Sequence, residues 1–278
     1  MSRKFKVAAI QMVSTHTVAE NLATAAELIA RAAGEGAKLV ALPEYFCILG
    51  QKETDKVDAR ERFEDGRAGG PIQAWLAQTA QRHGVWLVGG TLPIDCGSSR
   101  KILNTCLVFD AQGRLAARYD KIHLFGFKRV DEDGRVEHFD EARTIVHGSN
   151  PPITLDSPFG RLGLSVCYDL RFPELYRAMG PTDLIFVPSA FTATTGRAHW
   201  EPLLRARAIE NLAYVLAPAQ GGKHSNGRRT HGHSMLIDPW GEIKAELAEG
   251  AGIILGEIDR DHVAACRSSL PALAHRTL

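Results

Sequence analysis

The chain has 278 residues, of which 45% are hydrophobic and 23% are charged, a composition typical of a globular protein with a sizeable core. The count of 33 lysines and arginines against 32 aspartates and glutamates gives a net charge of +1, so nothing indicates a nucleic-acid partner. The sequence has no apolar run of the roughly 20 residues that a membrane-spanning helix needs, and its N-terminal apolar stretch is too short for a secretory signal, so we expect a cytoplasmic protein with no membrane partner.

Strand-like and helix-like segments alternate through the first half of the chain. Apolar runs predict strands at residues 5–12, 38–42, 85–88, 102–109 and 115–119. Apolar residues at helical spacing predict helices at 18–33 and from 71 to about 84. Residues 126–152 are polar and poorly periodic, and we interpret them as one long functional loop.

The second half of the chain is richer in strands. They are predicted at 162–166, 184–187, 214–219, 234–237, 243–247 and 253–258, with helices at 173–179 and 199–212. No linker or internal repeat divides the chain, so we expect one α/β domain over residues 1–278. Its mixed sheet, or pair of sheets, would be covered by helices.

The cysteines are five in number and widely scattered. An odd, scattered set is a poor disulfide framework, and without a C-x-x-C pair a structural zinc site is not expected. Reduced thiols are compatible with a cytoplasmic address, and we predict neither a metal nor a cofactor.

Three reactive side chains stand just past the ends of apolar strands: Glu44, Lys121 and Cys167. Strand ends in α/β folds are where ligand crevices form. Each residue alone has an ordinary explanation, namely a solvated turn carboxylate, a surface lysine and an inert core thiol. Cys167, however, is followed by an abrupt turn into a helix, and Pro173 lies near the start of that helix. Such a turn would favour the thiolate and would offer N–H groups, beginning with that of Tyr168, to a developing oxyanion.

The three side chains together match the needs of amide hydrolysis through a thiol. The reaction requires a base for the thiol proton, an acid for the departing amine and a base again for water. Glu44 suits all three steps. Lys121 would place a positive charge beside the tetrahedral oxygen.

The segments LPEYF, YDKIHLF and SVCYDLRFPELYR resemble, in order, the three conserved blocks of the nitrilase superfamily. The similarity extends over nearly the whole chain. It implies an αββα four-layer sandwich that pairs into a homodimer or a larger homo-oligomer. It also implies that Glu44 is the general base, Lys121 the oxyanion stabiliser and Cys167 the nucleophile.

A second glutamate often follows the lysine in this superfamily, in a block of the form aromatic-x-Glu. The segment HFDE resembles that block and makes Glu141 the candidate. Glu137 is the alternative, because the intervening segment is longer here than in close relatives.

The segments PSAFTATTGRAHWEPLLRARAIEN, AQGGKHSNGRR and GHSMLIDPWG resemble the Nit branch of the superfamily. That branch includes an amidase that acts on deaminated glutathione and the related ω-amidase, which acts on dicarboxylic acid monoamides. The resemblance therefore implies hydrolysis of a small carboxylated amide, with deaminated glutathione the first choice and ω-amidase activity the alternative. A nitrilase, a thiol redox protein and a binding protein that has kept the fold without turnover are weaker alternatives.

The candidate substrate-binding residues are Tyr45, Tyr168, Arg171, Phe191 and Thr194, and Thr195 is a further candidate for the pocket because it too follows the strand that ends at Val187. Arginine binds carboxylate well through its paired donors, and further positive charge at the pocket mouth is expected from Arg197, Lys223, His224 and Arg228. Arg205 and Arg207 have a simpler interpretation as a salt-bridged helix face with Glu201 and Glu210.

His231 is a departure from the Nit pattern, because relatives often have a tyrosine there. It shares one side of a predicted strand with His233. Two histidines without a third ligand are weak support for a metal site, so we predict none.

Overall fold

A computed structural model of the protein describes residues 3–64, 69–130, 134, 136–149 and 151–277. The α-helices within this part of the chain are α1 (Val18–Gly34), α2 (Asp55–Asp58), α3 (Pro71–His83), α4 (Pro173–Ala178), α5 (Ala193–Asn211) and α6 (Arg260–Ser269). Short 3-10 turns occupy Glu141–Arg143 and Cys167–Arg171. No helix of the described residues is both long enough and apolar enough to cross a membrane.

The strands of the first half are β1 (Lys4–Gln11), β2 (Leu39–Ala41), β3 (Trp86–Val88), β4 (Leu92–Asp95), β5 (Ile102–Phe109), β6 (Leu115–Asp120), β7 (Gly126–Val130), β8 (Val136–Asp140) and β9 (Ile145–Val146). Those of the second half are β10 (Thr154–Ser157), β11 (Gly160–Leu164), β12 (Leu184–Phe186), β13 (Tyr214–Ala217), β14 (Gly221–Lys223), β15 (Arg229–His231), β16 (Ser234–Ile237), β17 (Ile243–Leu247) and β18 (Gly252–Asp259).

Most of the strands form two mixed sheets. The first has the order β18-β1-β2-β3-β5-β4, and β6 and β9 also pair with β5. The second has the order β10-β11-β12-β13-β16-β17. Two separate hairpins, β7-β8 and β14-β15, complete the described strands.

The alternation of side chains along β1 shows how the layers stack. Ala8 and Ile10 point into a cluster with Ile29 of α1 and Leu76 of α3, so helices cover this face of the first sheet. The odd-numbered neighbours, such as Val7, join a second cluster that also contains residues of the second sheet. Period-two alternation with both faces buried is what a sheet packed between two layers requires.

Helix α5 covers the outer side of the second sheet with Trp200 and Leu204, both fully buried in the shared cluster. The order of layers is therefore helix, sheet, sheet, helix, which confirms the predicted αββα sandwich. The shared core supports the single-domain organisation, which stays a prediction.

The interpretation of residues 126–152 as one long loop was wrong. Strands β7 and β8 form an antiparallel hairpin in which Gly126 faces Asp140 and Val130 faces Val136. These strands are largely exposed, so they lack the apolar alternation by which a half-buried strand is recognised in a sequence.

Helix α5 begins six residues before the predicted start at 199, because Thr192 caps it. The Thr192 hydroxyl oxygen accepts a hydrogen bond from the N–H of Thr195 at 3.1 Å, which satisfies one of the free donors of the first turn.

Candidate active site

The carboxyl ends of three strands bring the predicted reactive residues together. Glu44 follows β2, Lys121 follows β6 and Cys167 follows β11. All three residues are buried, with exposed fractions of 1%, 0% and 7%. The crevice expected at the strand ends is therefore a nearly closed site.

Lys121 lies between two carboxylates. Its Nζ atom is 2.8 Å from Oε1 of Glu44 and 3.0 and 2.8 Å from Oε1 and Oε2 of Glu141. The hydroxyl of Tyr45 donates to the Oε1 atom of Glu141 at 2.8 Å. The second carboxylate at the lysine is thus Glu141, and the Oε2 atom of Glu137 instead accepts from the hydroxyl of Thr194 at 2.9 Å.

The register of the β7-β8 hairpin explains this choice between the two glutamates. Glu141 lies at the base of the hairpin, where its N–H donates to the carbonyl of Phe125 at 3.0 Å and its Oε2 atom accepts from the N–H of Phe125 at 2.7 Å. Glu137 pairs with Arg129, three residue pairs further out from Gly126. Only a carboxylate at the base comes back to the strand end that carries Lys121.

The charges at this site stabilise one another. Burial alone would lower the pKa of Lys121, but the charges of Glu141 and Glu44 outweigh it and raise the pKa above its ordinary value. Burial alone would raise the pKa of Glu141, but the ammonium of Lys121 holds it below its usual range. Both groups therefore keep their charges at neutral pH, as a buried ion pair must.

Cys167 lies at a sharp turn after β11. Its φ of 50° places a non-glycine residue in the left-handed region, and Tyr45, beside Glu44, has a φ of 56°. Such conformations cost about 1–3 kcal/mol and gather at functional sites. The N–H of Cys167 donates to the carbonyl of Pro188 at 3.0 Å, which ties the turn to the end of β12.

The expectation of a thiolate at Cys167 was wrong for the resting site. Burial raises the pKa of the thiol well above its ordinary value, the nearby charge of Glu44 raises it further, and Lys121 offsets only part of this. Only a short 3-10 turn follows Cys167, so no α-helix begins at the thiol and supplies its dipole. The thiol therefore needs a base in contact with it before it can attack.

A cavity opens to solvent beside the thiol. Of the candidate substrate-binding residues, Tyr168, Arg171 and Phe191 line it. Tyr45 and Thr194 are not among the lining residues. Tyr45 lies behind Glu141, and Thr194 is bonded to the hairpin.

The neighbours Thr192 and Thr195 line the cavity where Thr194 does not. Both belong to the first turn of α5 or its cap, so the early start of that helix decides which threonines face the cavity. The sequence did not reveal that start.

Two of the cations predicted at the pocket mouth reach this cavity, Arg171 and Arg228. Arg197 and Lys223 line a separate groove. His224 is buried, with its two ring nitrogens 2.9 Å from the carbonyl of Ser14 and 2.8 Å from the hydroxyl of Thr230. The cavity next to the thiol thus has two guanidinium groups in its wall.

Asp169 fixes the cysteine turn against the lysine strand, and sequence reasoning missed it. Its fully buried carboxylate accepts from the Tyr119 hydroxyl at 2.7 Å and from the N–H of Val166 at 2.9 Å. It also accepts from the N–H of His123 at 3.0 Å and lies 2.7 Å from the Nδ1 atom of that ring. The carboxylate therefore joins residues on both sides of Lys121 to those on both sides of Cys167.

We expect Asp169→Asn to lower kcat by about 10- to 100-fold, because the amide cannot accept all four hydrogen bonds and the two loops lose their fixed spacing. KM should change much less, since Asp169 does not line the cavity. Steady-state kinetics measure the two parameters, and thermal unfolding checks the fold. An equal loss in a variant at another buried aspartate, Asp120→Asn, would argue that the effect is general destabilisation.

Arg207 belongs to this cysteine turn and only secondarily to a salt-bridged helix face. Its Nε and Nη2 atoms donate to the carbonyl of Leu170 at 3.0 and 2.7 Å, and Nη1 contacts Glu210 at 2.9 Å. The ion pair between Arg205 and Glu201, at 3.4 Å, lies on the exposed face as predicted.

Gln220 connects the two sheets behind the site. Its Nε2 atom donates to the Ser14 hydroxyl at 2.7 Å and to the main-chain carbonyl of Glu44 at 3.0 Å. The carboxylate of Glu44 also accepts from the N–H of Ala190 at 3.0 Å and from the amide of Asn104 at 3.0 Å. Glu44 is therefore held by residues of both sheets.

His231 and His233 stack with ring centroids 4.4 Å apart. Burial lowers the pKa of His231 to about 4, and the Nδ1 atom of His233 pairs with Glu246. Within the described part of the chain, no group of three or more histidine, cysteine, aspartate or glutamate side chains is placed to hold a metal ion.

Sequence comparison adds the family to this geometry. The profile described as "Carbon-nitrogen hydrolase" matches residues 6–268. The "Deaminated glutathione amidase" of Synechocystis sp. is 42% identical over 278 residues, which cover 99% of this chain and 98% of that protein. The human protein of the same name is 37% identical over 275 residues, which cover 97% of this chain and 81% of its own length.

Structural comparison agrees with the sequence. The NitFhit protein of C. elegans superposes with a TM-score of 0.86 at 36% identity, over 99% of this chain and 65% of that one. Nit3 of Saccharomyces cerevisiae, described as a member of branch 10 of the nitrilase superfamily, gives a TM-score of 0.83 at 31% identity, over 96% and 94% of the two chains. With a buried glutamate, lysine and cysteine at three strand ends of an αββα sandwich, this chain belongs to the carbon–nitrogen hydrolase family, the nitrilase superfamily.

Proposed function

We propose that this protein hydrolyses the amide bond of deaminated glutathione through a covalent thioester on Cys167. The observation that carries the proposal is the contact of the buried Lys121 ammonium with Glu44 on one side and Glu141 on the other, next to the thiol and its cavity. The choice of substrate is supported by relatives that are 37–42% identical to this chain and are named for this activity.

The acylation half of the reaction begins at the thiol. Glu44 takes the proton of Cys167, whose raised pKa keeps it protonated until then, and the sulfur attacks the amide carbon. The tetrahedral oxygen gains a negative charge, which the ammonium of Lys121 and the N–H of Tyr168 stabilise. Glu44 then gives its proton to the departing amine as the carbon–nitrogen bond breaks.

The deacylation half uses the same carboxylate. Glu44 takes a proton from water, and the resulting hydroxide attacks the thioester carbon. The carbon–sulfur bond then breaks, and Glu44 gives its proton to the departing sulfur, which restores the thiol and the free carboxylate. Glu141 and Tyr45 touch neither proton. They hold Lys121 in position. The carboxylate of Glu141 accepts a hydrogen bond from the Nζ atom of Lys121 at 2.8 Å, and the hydroxyl of Tyr45 donates to the same carboxylate.

Charge in the cavity wall supports a carboxylated substrate. The guanidinium of Arg171 lies 5.6 Å from the ring centroids of both Tyr168 and Phe191, and its Nη1 and Nη2 atoms are each 3.3 Å from Nδ1 of His199. An acyl group that ends in a carboxylate would meet this guanidinium and form a paired, charge-assisted contact.

Turnover of a substrate panel tests the proposal. We expect the purified protein to release cysteinylglycine from deaminated glutathione with a higher kcat/KM than it shows for succinamate, and to leave simple nitriles untouched. Arg171→Gln should raise KM for deaminated glutathione about tenfold or more, and that for a neutral primary amide much less. A preference for succinamate would favour the ω-amidase alternative. No turnover of any amide would favour the binding protein.

The assembly and location of the protein are also proposals. The family resemblance supports a homodimer or a larger homo-oligomer, which light scattering tests. We further propose that the protein acts in the cytoplasm on a freely diffusing amide, and the five unpaired cysteines are compatible with that setting.

A further inference from the structure

A second cavity, open to solvent, adjoins the one beside the thiol. Arg228 lines both cavities. Tyr45 lines the second, and its hydroxyl is bonded to Glu141, which lines the first. A substrate that fills the first cavity and continues past Arg228 would therefore enter the second.

The guanidinium of Arg228 has donors to spare at this junction. Its Nη2 atom donates to the carbonyl of Ala190 at 2.8 Å, and its face lies 5.3 Å from the ring centroid of Phe139. Its buried Nε atom has no hydrogen-bond partner among the described residues. A buried donor left without a partner is unfavourable, so an acceptor on a bound molecule would complete this group.

The second cavity is positively charged. Lys52, Lys56 and Arg228 line it against a single carboxylate, that of Glu53. Glu53 is paired with Lys56 at 2.6 Å, and the carboxylate of neighbouring Asp55 accepts from the main-chain N–H of Lys52. Within the described residues the ammonium of Lys52 has no carboxylate partner. The cavity thus offers an unpaired ammonium and an incompletely bonded guanidinium to one bound anion.

We propose that this second cavity, which we call the amine-side subsite, binds the terminal carboxylate of the departing amine. The inference rests on the proposed function. A substrate that leaves an amine needs room for two parts, the acyl group bonded to the sulfur and the amine that departs. A dipeptide-like amine spans about 7 Å from its nitrogen to its carboxylate, so its carboxylate extends well beyond the scissile bond and away from the acyl group. The acyl carboxylate stays with Arg171 in the first cavity.

Three substrates with one acyl group provide the test. Deaminated glutathione releases a dipeptide with a free carboxylate, its C-terminal carboxamide derivative releases the same dipeptide without that charge, and the primary amide of the same acyl group releases ammonia. We expect Lys52→Gln to lower the ratio of kcat/KM for deaminated glutathione to kcat/KM for the primary amide about tenfold. The ratio of kcat/KM for the carboxamide derivative to kcat/KM for the primary amide should be the same in Lys52→Gln as in the wild type.

Lys223→Gln is the matched control, since Lys223 is an exposed lysine in a separate groove. It separates local binding from a general effect of lost positive charge. Lys52 is itself exposed, so the variant should fold. If Lys52→Gln and Lys223→Gln change the three substrates alike, the amine-side subsite is refuted while the proposed function stands.

Binding measurements test the amine-side subsite separately from the proposed amidase activity, even if the protein shows no turnover. Calorimetry with the Cys167→Ala protein measures the affinity for intact deaminated glutathione without any reaction. Addition of Lys52→Gln should weaken that affinity about tenfold and leave the affinity for the carboxamide derivative unchanged. Equal affinity for both ligands in both proteins would overturn the subsite whether or not the wild-type protein is an amidase.

Discussion

Replacement of Cys167 with alanine is expected to abolish amide hydrolysis, with kcat lowered by at least about 10⁴-fold. The sulfur is the only protein atom proposed to bond to the substrate carbon, and no neighbouring side chain is proposed to replace it as the nucleophile. The fold should remain, because the side chain removed is small and the 3.0 Å hydrogen bond from the N–H of residue 167 to Pro188 is retained. Release of cysteinylglycine and circular dichroism measure the two properties.

Cys96→Ala is the control for this experiment, because Cys96 is a partly exposed thiol whose contact is with the carbonyl of Lys101. Its activity should match that of the wild type. Mass spectrometry of the wild-type protein after rapid quenching should show the acyl group on the peptide that contains Cys167. An alanine variant that keeps a tenth of the activity would contradict the thioester mechanism.

Lys121→Met is expected to impair both stability and activity. It leaves Glu44 and Glu141 buried and facing each other without the cation between them. Removal of one partner from a buried ionic group costs about 3–5 kcal/mol, and loss of the charge at the tetrahedral oxygen lowers kcat by about 10²–10³-fold. Urea unfolding gives the first quantity and steady-state kinetics the second.

The pH dependence of the free energy of unfolding should have opposite signs in the wild type and in Lys121→Met. In the wild type the pKa of Glu141 is lowered by Lys121, so its stabilising effect is present above the ordinary glutamate pKa of about 4.3 and is lost as the pH falls. In Lys121→Met the cation that lowers the pKa of Glu141 is gone and burial raises that pKa instead, so protonation of Glu141 removes an uncompensated buried charge and stability rises as the pH falls from neutral.

A double variant separates charge balance from catalysis. Lys121→Met combined with Glu141→Gln removes one charge of each sign and should recover a large part of the lost free energy of unfolding. It should recover none of the activity, because no cation remains at the oxyanion. Recovery of both would show that Lys121 has only a structural role.

Local patterns predicted sheets covered by helices and three candidate site residues at strand ends, whereas the four-layer αββα order was implied by the family resemblance. Glu44, Lys121 and Cys167 each follow an apolar strand closely, and a strand end fixes where the next side chains go. The apolar run of β1 likewise predicted a strand, but its five consecutive buried residues do not indicate in the sequence which side chains face the helices and which face the second sheet.

The residues that escaped prediction depend on contacts between distant segments. Asp169 is recognised only when Tyr119 and His123 are seen to donate to it. Arg228 was predicted at the pocket mouth from its charge alone, but the contact with Ala190 that brings it to the cavity could not be predicted from the sequence. The pKa of Cys167 depends on Glu44, which is more than 100 residues away in sequence and raises it, whereas the turn alone suggested a lowered value.

The bridge made by Gln220 couples chemistry to the integrity of the sandwich. Gln220 and Ala190 follow strands of the second sheet and donate hydrogen bonds to Glu44, which follows a strand of the first sheet. A small displacement of one sheet relative to the other would therefore move the carboxylate of Glu44 away from the sulfur of Cys167. Activity should then disappear at the onset of layer separation, before helices melt. Loss of turnover therefore reports a displacement of the two sheets relative to each other.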